Sequence, residues 1–260
     1  MSGAFAFLDH PPPLAFAHRG GVAHGLENTM AAFTNAVAMG YRYLETDAHA
    51  TADGVALAFH DHRLDRVTDR AGTIADLPYR EVAAARVGGA EPIPLLEDLL
   101  GAWPDVRVNI DVKQAAAIGP VVEVIRRTGA ADRVCVAAFS DRRIGAVRAR
   151  LGPRLATSLG PREVLRLRAA AHRRLRPGRT YPDPPAPCAQ VPERIGALRL
   201  VDRRFVAAAH ARGIQVHVWT VNDRPGMERL LDLGVDGLMT DRLALLKEVL
   251  VARGQWRDAA

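Results

Sequence analysis

The sequence predicts an α/β protein, a single (β/α)8 TIM barrel with a β-hairpin extension of strand 2. Three observations carry that prediction. Short apolar runs rich in Val, Leu and Ala alternate with longer helical patterns, as in a parallel sheet whose strands are joined by crossover helices. Eight such runs occur. The length of 260 residues matches the roughly 250 of one barrel and is enough to bury a large core. No internal repeat or long linker divides residues 1–260, so one domain is expected.

In chain order the strand candidates are Leu14–His18, Tyr41–Thr51, Val106–Val112, Val134–Phe139, Leu155–Gly160, Cys188–Val191, Ile214–Val221 and Gly237–Thr240. Helical stretches fall at Asn28–Met39, Gly119–Arg127, Arg142–Arg150, Pro161–Arg174, Asp202–Arg212, Pro225–Leu233 and Leu243–Arg253. Gly40, Gly129, Gly213 and Gly234 stand where left-handed C-caps are expected. One run breaks the alternation: Val55–His60 follows the second strand too closely for an intervening helix. Asp53-Gly54 is a strong hairpin signal, so Leu44–Thr51 and Val55–Asp61 read as an antiparallel ribbon. With the turn centred between Asp53 and Gly54, residues whose numbers sum to 107 pair, and Asp47 faces His60. A slip of one residue would shift the pairing and keep the histidine near the carboxylates. The Pro-rich stretch Thr180–Pro187 is expected to be a loop.

The chain carries 35 Lys+Arg against 29 Asp+Glu, a net charge of +6. Seven arginines lie between Arg162 and Arg179, opposed only by Glu163. This reads as a solvated basic face, with acidic lipid or a diffusing phosphate as secondary readings; without interleaved aromatics or a recognition module, no nucleic-acid partner is expected. Two cysteines, Cys135 and Cys188, give neither a disulfide framework nor a CxxC site and fit a reducing compartment. Met1–Pro13 lacks the basic start of a signal peptide, and nowhere do 18 apolar residues run together. The expectation is a cytoplasmic protein without a transmembrane segment; no feature supports peripheral membrane contact or specifies an oligomeric state.

In such a barrel the active site forms at the C-terminal ends of the strands. There the chain places His18-Arg19-Gly20, Glu45-Thr46-Asp47, His60-Asp61, Asn109-Ile110-Asp111-Val112-Lys113 and Trp219. Alternation puts Glu45 and Asp47 on one face, and the same alternation places Asn109, Asp111 and Lys113 together. Glu45, Asp47 and Asp111 form an oxygen-rich set suited to one divalent cation, Mg²⁺, Ca²⁺ or Mn²⁺, rather than zinc. Arg19 offers a planar fork to a phosphate and Lys113 a point charge. His18 and His60 are the acid and base candidates, in an order the residues leave open. Trp219 reads as a substrate wall or as packing, and Glu27-Asn28-Thr29 as a helix cap or as Glu27 reaching the metal or substrate. His24, His49, His62 and His217 read as bystanders, and Asp241 as the cap of the last helix. No GxSxG, HExxH, GxxxxGK or GxGxxG motif occurs, which argues against serine hydrolase, zincin, nucleoside triphosphatase and dinucleotide-binding readings.

The ordered set His18-Arg19-Gly20, Glu27-Asn28-Thr29, Glu45-x-Asp47, Thr51-x-Asp53-Gly54 and His60-Asp61 resembles the N-terminal signature of glycerophosphodiester phosphodiesterases. Asp69–Gly72, Ile93-Pro94-x-Leu96, Trp219-Thr220-Val221-Asn222 and Gly234-Val235-Asp236-Gly237-x-Met239-Thr240-Asp241 extend the resemblance over nearly the whole chain. It implies a divalent ion held by Glu45, Asp47 and Asp111, with His18 as general acid, His60 as general base, and Arg19 and Lys113 on the phosphate. It also implies a substrate hydroxyl that attacks phosphorus through a cyclic phosphate, giving glycerol phosphate and an alcohol from a small glycerophosphodiester. This chain departs from the pattern at Asp111, where the family usually has Glu, at Ala138, where it has Ser, and in the short insertion Arg63–Ala90. Two alternatives follow: phospholipase D-like cleavage of lysophospholipids on the same barrel, favoured by a large apolar mouth, and a non-catalytic barrel that binds a phosphometabolite.

Overall fold

The computed structural model describes residues 5–22, 26–173 and 186–257. His24, most of Thr180–Pro187 and the end of the arginine-rich stretch lie outside them. The chain runs β1 (Leu14–His18), α1 (Met30–Ala38), β2 (Tyr43–Ala50), β3 (Ala56–Ala58), α2 (Tyr79–Val82), β4 (Arg86–Val87), β5 (Glu91–Pro92), α3 (Leu96–Ala102), β6 (Arg107–Val112), α4 (Ile118–Arg127), β7 (Val134–Ala137), α5 (Asp141–Leu151), β8 (Ala156–Thr157) and α6 (Pro161–Arg173). It continues through β9 (Cys188–Pro192), β10 (Arg194–Ile195), β11 (Leu198–Arg199), α7 (Arg203–His210), β12 (Gln215–Trp219), α8 (Arg224–Asp232), β13 (Gly237–Thr240) and α9 (Leu243–Ala252). Eight strands pair in parallel in the order β8-β7-β6-β2-β1-β13-β12-β9, and a parallel bridge between Ser158 and Cys188 joins the two ends. This is the predicted (β/α)8 barrel. Each barrel strand is followed by a helix, including α3, for which the sequence shows no separate helical stretch.

The helices form because apolar residues recur on one face. In α4, Ile118, Val121, Val122 and Ile125 are buried while Glu123, Arg126 and Arg127 face solvent, the spacing of a helix laid on a sheet. A second apolar cluster, with Phe7, Phe16, Tyr43, Cys135, Cys188 and Met239, fills the barrel interior. Cys135 and Cys188 are free, buried thiols. A third cluster of Leu57, Phe59, Leu64, Ile74, Val82, Val87 and Ile93 packs beneath the excursion between β2 and α3. That excursion is therefore an anchored platform, and it carries His60.

The ribbon forms, but its register differs from the expectation. Ala48 pairs with Ala58, His49 with Leu57 and Ala50 with Ala56, and Phe59 N–H donates to the carbonyl of Asp47 at 2.9 Å. Asp47 thus faces Phe59, one residue before His60. The reason is the turn: Thr51 N–H donates to Val55 O at 3.1 Å and Val55 N–H to Thr51 Oγ1 at 3.0 Å. These bonds close a loop of Ala52, Asp53 and Gly54, with Gly54 at φ 81°, a three-residue hairpin rather than a two-residue one. Asp241 is also corrected. The residue preceding α9 is Arg242, with no side-chain capping bond, and the Asp241 carboxylate is engaged elsewhere.

Candidate active site

Parallel register assembles the site. His18 lies beside Glu45, Glu45 beside Asn109, and Asp47 beside Asp111. The strand ends open onto a cavity of about 740 Å³ whose walls include His18, Arg19, Glu45, Asp47, His60, Asp111, Lys113 and Trp219. Of the predicted site residues only Glu27 is not on this wall. Its carboxylate meets Arg19 Nη1 at 3.0 Å and Arg66 at 2.6 and 3.1 Å, so it braces the arginine.

A tight turn aims the Arg19 backbone. Arg19, Gly20 and Gly21 follow β1 with φ of 53°, 77° and 85°, and a Cβ on Gly20 would come within 2.9 Å of Ala32 and Phe33 in α1. Glycine alone fits that approach. The turn points Arg19 N–H at Glu45 Oε2 (3.1 Å) and places Arg19 Nε 3.1 Å from Asp47 Oδ2, as an ion pair without hydrogen-bond alignment.

Both histidines are held by carboxylates. His18 Nδ1 is 2.6 Å from Asp241 Oδ1, and its Nε2 is 3.8 Å from Glu45 Oε2. Burial alone would lower the His18 pKa, but Glu45 and the Asp241 hydrogen bond outweigh it and raise the imidazole above its ordinary value. Asp241 is fixed by Asn222, whose Nδ2 donates at 2.7 Å. Burial would raise the Asp241 carboxyl, yet His18 and Asn222 hold it low. His60 Nδ1 is 2.5 Å from Asp61 Oδ1. Asp61 is in turn gripped by Arg66, whose hydrogen bonds bring it down to about 2. An ionised carboxylate only accepts, so in each pair Nδ1–H donates and Nε2 is left for chemistry.

The carboxylates are buried together. Lys113 Nζ reaches Asp47 Oδ1 and Asp111 Oδ2, both at 3.1 Å. Burial would raise Asp47, but Lys113 and Arg19 keep it low, while burial leaves Asp111 raised. Glu45 is pushed up to about 7 by burial and by the charge of Asp47. Among the described residues no three acids or histidines already stand at metal-ligand spacing, because the Lys113 ammonium lies between two of them. The donor set nevertheless fits a hard cation: three clustered carboxylates, with Asp111 Oδ1 buried and without a hydrogen-bond partner.

Asn28 joins the site unpredicted. At φ 55° its amide donates to Asp47 Oδ2 (3.2 Å) and accepts from Thr46 Oγ1 (2.7 Å), leaving Thr29 to cap α1 by accepting from Ala32 N–H. Asp241, Asn222 and Arg66 were equally unforeseen as parts of the site. Asp241 had a usable signal, since it directly follows the last strand and so obeys the strand-end rule applied to the others. Asn109 accepts from Gln190 Nε2 at 2.8 Å. His49 Nε2 bonds the carbonyl of His60 at 2.9 Å, so this bystander steadies the histidine arm.

The opposite side of the cavity is apolar. Phe139 beyond β7, Leu159 beyond β8, Val164 and Leu165 on α6, Pro192 at the end of β9 and Trp219 at the end of β12 line it. The Phe139 and Trp219 rings meet edge-on at 5.4 Å, and Lys113 Nζ lies 5.8 Å above the Phe139 ring at the junction of the two sides.

Buried carboxylates, cations and two carboxylate-held histidines at the strand C-termini define an enzyme-type (β/α)8 barrel. Residues 18–245 match the model of the glycerophosphoryl diester phosphodiesterase family. The chain is 43% identical, over 97% of its length and 96% of the relative's, to a probable glycerophosphodiester phosphodiesterase 2 of Mycobacterium tuberculosis. It is 28% identical to a human lysophospholipase D, over 90% of this chain and 85% of that protein. A putative glycerophosphoryl diester phosphodiesterase from Silicibacter pomeroyi shares the fold with a TM-score of 0.79 at 24% identity, covering 97% of this chain and 100% of that one. An Oleispira antarctica phosphodiesterase, solved with the product sn-glycerol-3-phosphate, superposes with a TM-score of 0.76 at 22% identity, covering 92% and 97%. The chain belongs to the glycerophosphoryl diester phosphodiesterase family, whose members are phosphoric diester hydrolases.

Proposed function

We propose that this chain is a single-domain enzyme that hydrolyses glycerophosphodiesters to glycerol phosphate and an alcohol, with His18 and His60 as its proton-transfer groups. The observation that carries the reading is the pairing of each histidine with a carboxylate through Nδ1, on either side of Glu45, Asp47 and Asp111. The raised pKa of His18 favours its protonated form and suits its Nε2 to donate to the departing alkoxide. His60 Nε2 then accepts the proton of the substrate hydroxyl as that oxygen attacks phosphorus. The P–O bond to the alcohol breaks as the new one forms, and water opens the resulting cyclic phosphate to glycerol phosphate with the proton transfers reversed. Arg19 and Lys113 offset the phosphate charge.

Glu45, Asp47 and Asp111 are proposed to hold one divalent cation, Mg²⁺, Ca²⁺ or Mn²⁺, with Asn28 orienting Asp47. When bound, it supplies Lewis-acid polarisation of a phosphate oxygen and relieves the repulsion that raises Glu45. Asp111 has a shorter reach than the glutamate usual at its position. Trp219 is proposed to wall the substrate, and Glu27 to position Arg19.

A second reading concerns the glycerol side, where a lysophospholipid carries its acyl chain. The wall of Phe139, Leu165 and Trp219 suits a substrate that carries an acyl chain, so cleavage of lysophospholipids on this site is favoured beside that of water-soluble diesters; the name of the human relative supports it. Purified protein assayed on glycerophosphocholine, glycerophosphoethanolamine and a lysophospholipid, with EDTA and with added Mg²⁺ or Ca²⁺, tests both readings. Glycerol phosphate released only with the cation supports the first. Turnover of lysophospholipid alone transfers the chain to the second, and silence on every substrate removes both.

A further inference from the structure

The apolar wall does not end inside the cavity. Among the described residues five large apolar side chains stand exposed: Phe139 (62%), Leu165 (56%) and Ile195 (50%) line this mouth, and Leu198 (49%) stands beside Ile195 on the same hairpin. The fifth, Val251, lies on α9. Scattered exposed apolar residues need no explanation, but a cluster confined to the rim of one opening does. Two of the four sit on the projecting hairpin β10–β11, where Ile195 pairs with Leu198 and Arg194 with Arg199. Every residue from Arg194 to Arg199 is exposed. The hairpin therefore carries an apolar tip on an arginine base, and the start of α6 repeats the combination, with Leu165 exposed between Arg162 and Arg166.

The charge of this rim is one-sided. Of the nearby acids, Glu163 is bound by Arg148 at 2.9 Å, Glu193 by Arg229 at 2.7 Å, and Asp141 lies 3.9 Å from Arg162. Arg162 and Arg199 have acids only at the limit of ion-pair distance, Asp141 at 3.9 Å and Glu193 at 4.0 Å, while Arg166 and Arg194 meet no carboxylate among the described residues, so the outward charge of the rim stays net positive. Apolar side chains able to enter the acyl boundary, ringed by guanidinium groups at headgroup level, are the chemistry of a surface-seated protein. No helix among the described residues is long and apolar enough to cross a membrane, so such contact would be peripheral.

We infer that the β10–β11 hairpin and the start of α6 form a docking surface for an anionic lipid membrane, seating the apolar side of the mouth on the lipid. The docking goes beyond hydrolysis and does not require it: the hairpin tip lies outside the catalytic groups, and binding is read without turnover. Seated this way, the apolar wall runs from the lipid surface to the phosphate-binding side, giving a single-chain lipid a dry path inward.

The test is co-sedimentation of the full chain with sucrose-loaded vesicles of phosphatidylcholine containing phosphatidylglycerol, against vesicles of phosphatidylcholine alone. The wild-type protein is expected to partition onto the anionic vesicles and to be released by salt. Leu198→Asp, which puts a carboxylate on the exposed tip, is expected to lower the partition coefficient at least about tenfold. Arg166→Gln is expected to lower it about fivefold at low salt, the worth of one basic residue at an anionic surface. Circular dichroism and turnover of glycerophosphocholine at the wild-type level confirm that both variants are folded and keep the hydrolase reading separate. Failure of the wild type to bind any vesicle overturns the proposal. So does equal binding by wild type and Leu198→Asp, or a concentration-dependent dimer that Leu198→Asp dissolves, since a second copy would then cover the rim.

Discussion

The mouth of the barrel has two unlike sides. At β1, β2, β6 and β13 the strands end in His18, Glu45, Asp47, Asp111 and Asp241, all buried or half-buried and nearly all in ion pairs. At β7, β8, β9 and β12 the corresponding positions carry Phe139, Leu159, Pro192 and Trp219. Burying charge is costly unless each group is paired, so the polar side is a network in which every substitution strands a partner. The apolar side carries no such obligation and is free to set what fits. On the proposed reading the contrast assigns reaction type and substrate choice to different strands, which makes them separable by mutation.

The largest effects are expected on the polar side. His18→Ala should lower turnover about 10²–10⁴-fold, the range for a lost acid–base group, and Asp47→Asn by orders of magnitude through loss of a proposed cation ligand, while circular dichroism shows the fold retained in both. Unchanged turnover in either variant removes the site. Next comes Asp241→Asn, which keeps the shape but not the charge that holds His18. A loss of about 10–100-fold in kcat with KM little changed is expected. The limb of the pH profile belonging to His18 should move to lower pH, because Asp241 helps raise that imidazole. A change confined to KM would deny it a positioning role.

On the apolar side, Phe139→Ala should raise KM for a lysophospholipid about tenfold, from lost apolar contact, and change turnover of glycerophosphocholine less than about twofold. Equal losses on both substrates would break the division between the sides. The smallest effect concerns stability. Glu45 titrates near 7 in the folded chain against an ordinary 4.5, so its contribution is full below about 4.5 and lost as pH rises through about 7. Raised His18 acts in the same sense, and His49, lowered by burial, opposes them. In EDTA the Tm should therefore fall by a few degrees between about pH 4.5 and 6, below the range where Cys188, lowered to about 6, acts in the opposite sense, and a divalent cation should flatten that slope. An identical slope with and without the cation would argue against Glu45 as its ligand.

Much of this was legible in the sequence because it obeys short periods. Alternating apolar runs gave the parallel strands, a period near four gave the helices, and alternation within β2 and β6 placed Glu45, Asp47 and Asp111 on the inner face. The ribbon was legible to within one residue. Its register was settled by the Thr51–Val55 bonds around a three-residue loop, a local geometry that Asp53-Gly54 alone does not specify.

By itself the sequence determined the barrel and which histidines and acids stand at its strand ends, because backbone periodicity and residue type are local properties. Only the tertiary structure decided that Asp241, distant in the chain, holds His18, and that Arg66 joins Asp61 to Glu27. It also decided that Lys113 stands between Asp47 and Asp111, and that Phe139, Leu165 and Ile195 line one opening. Those contacts arise when ring closure sets β1 against β13 and when separate loops converge on one opening, and no local pattern encodes which distant residues such closure brings together.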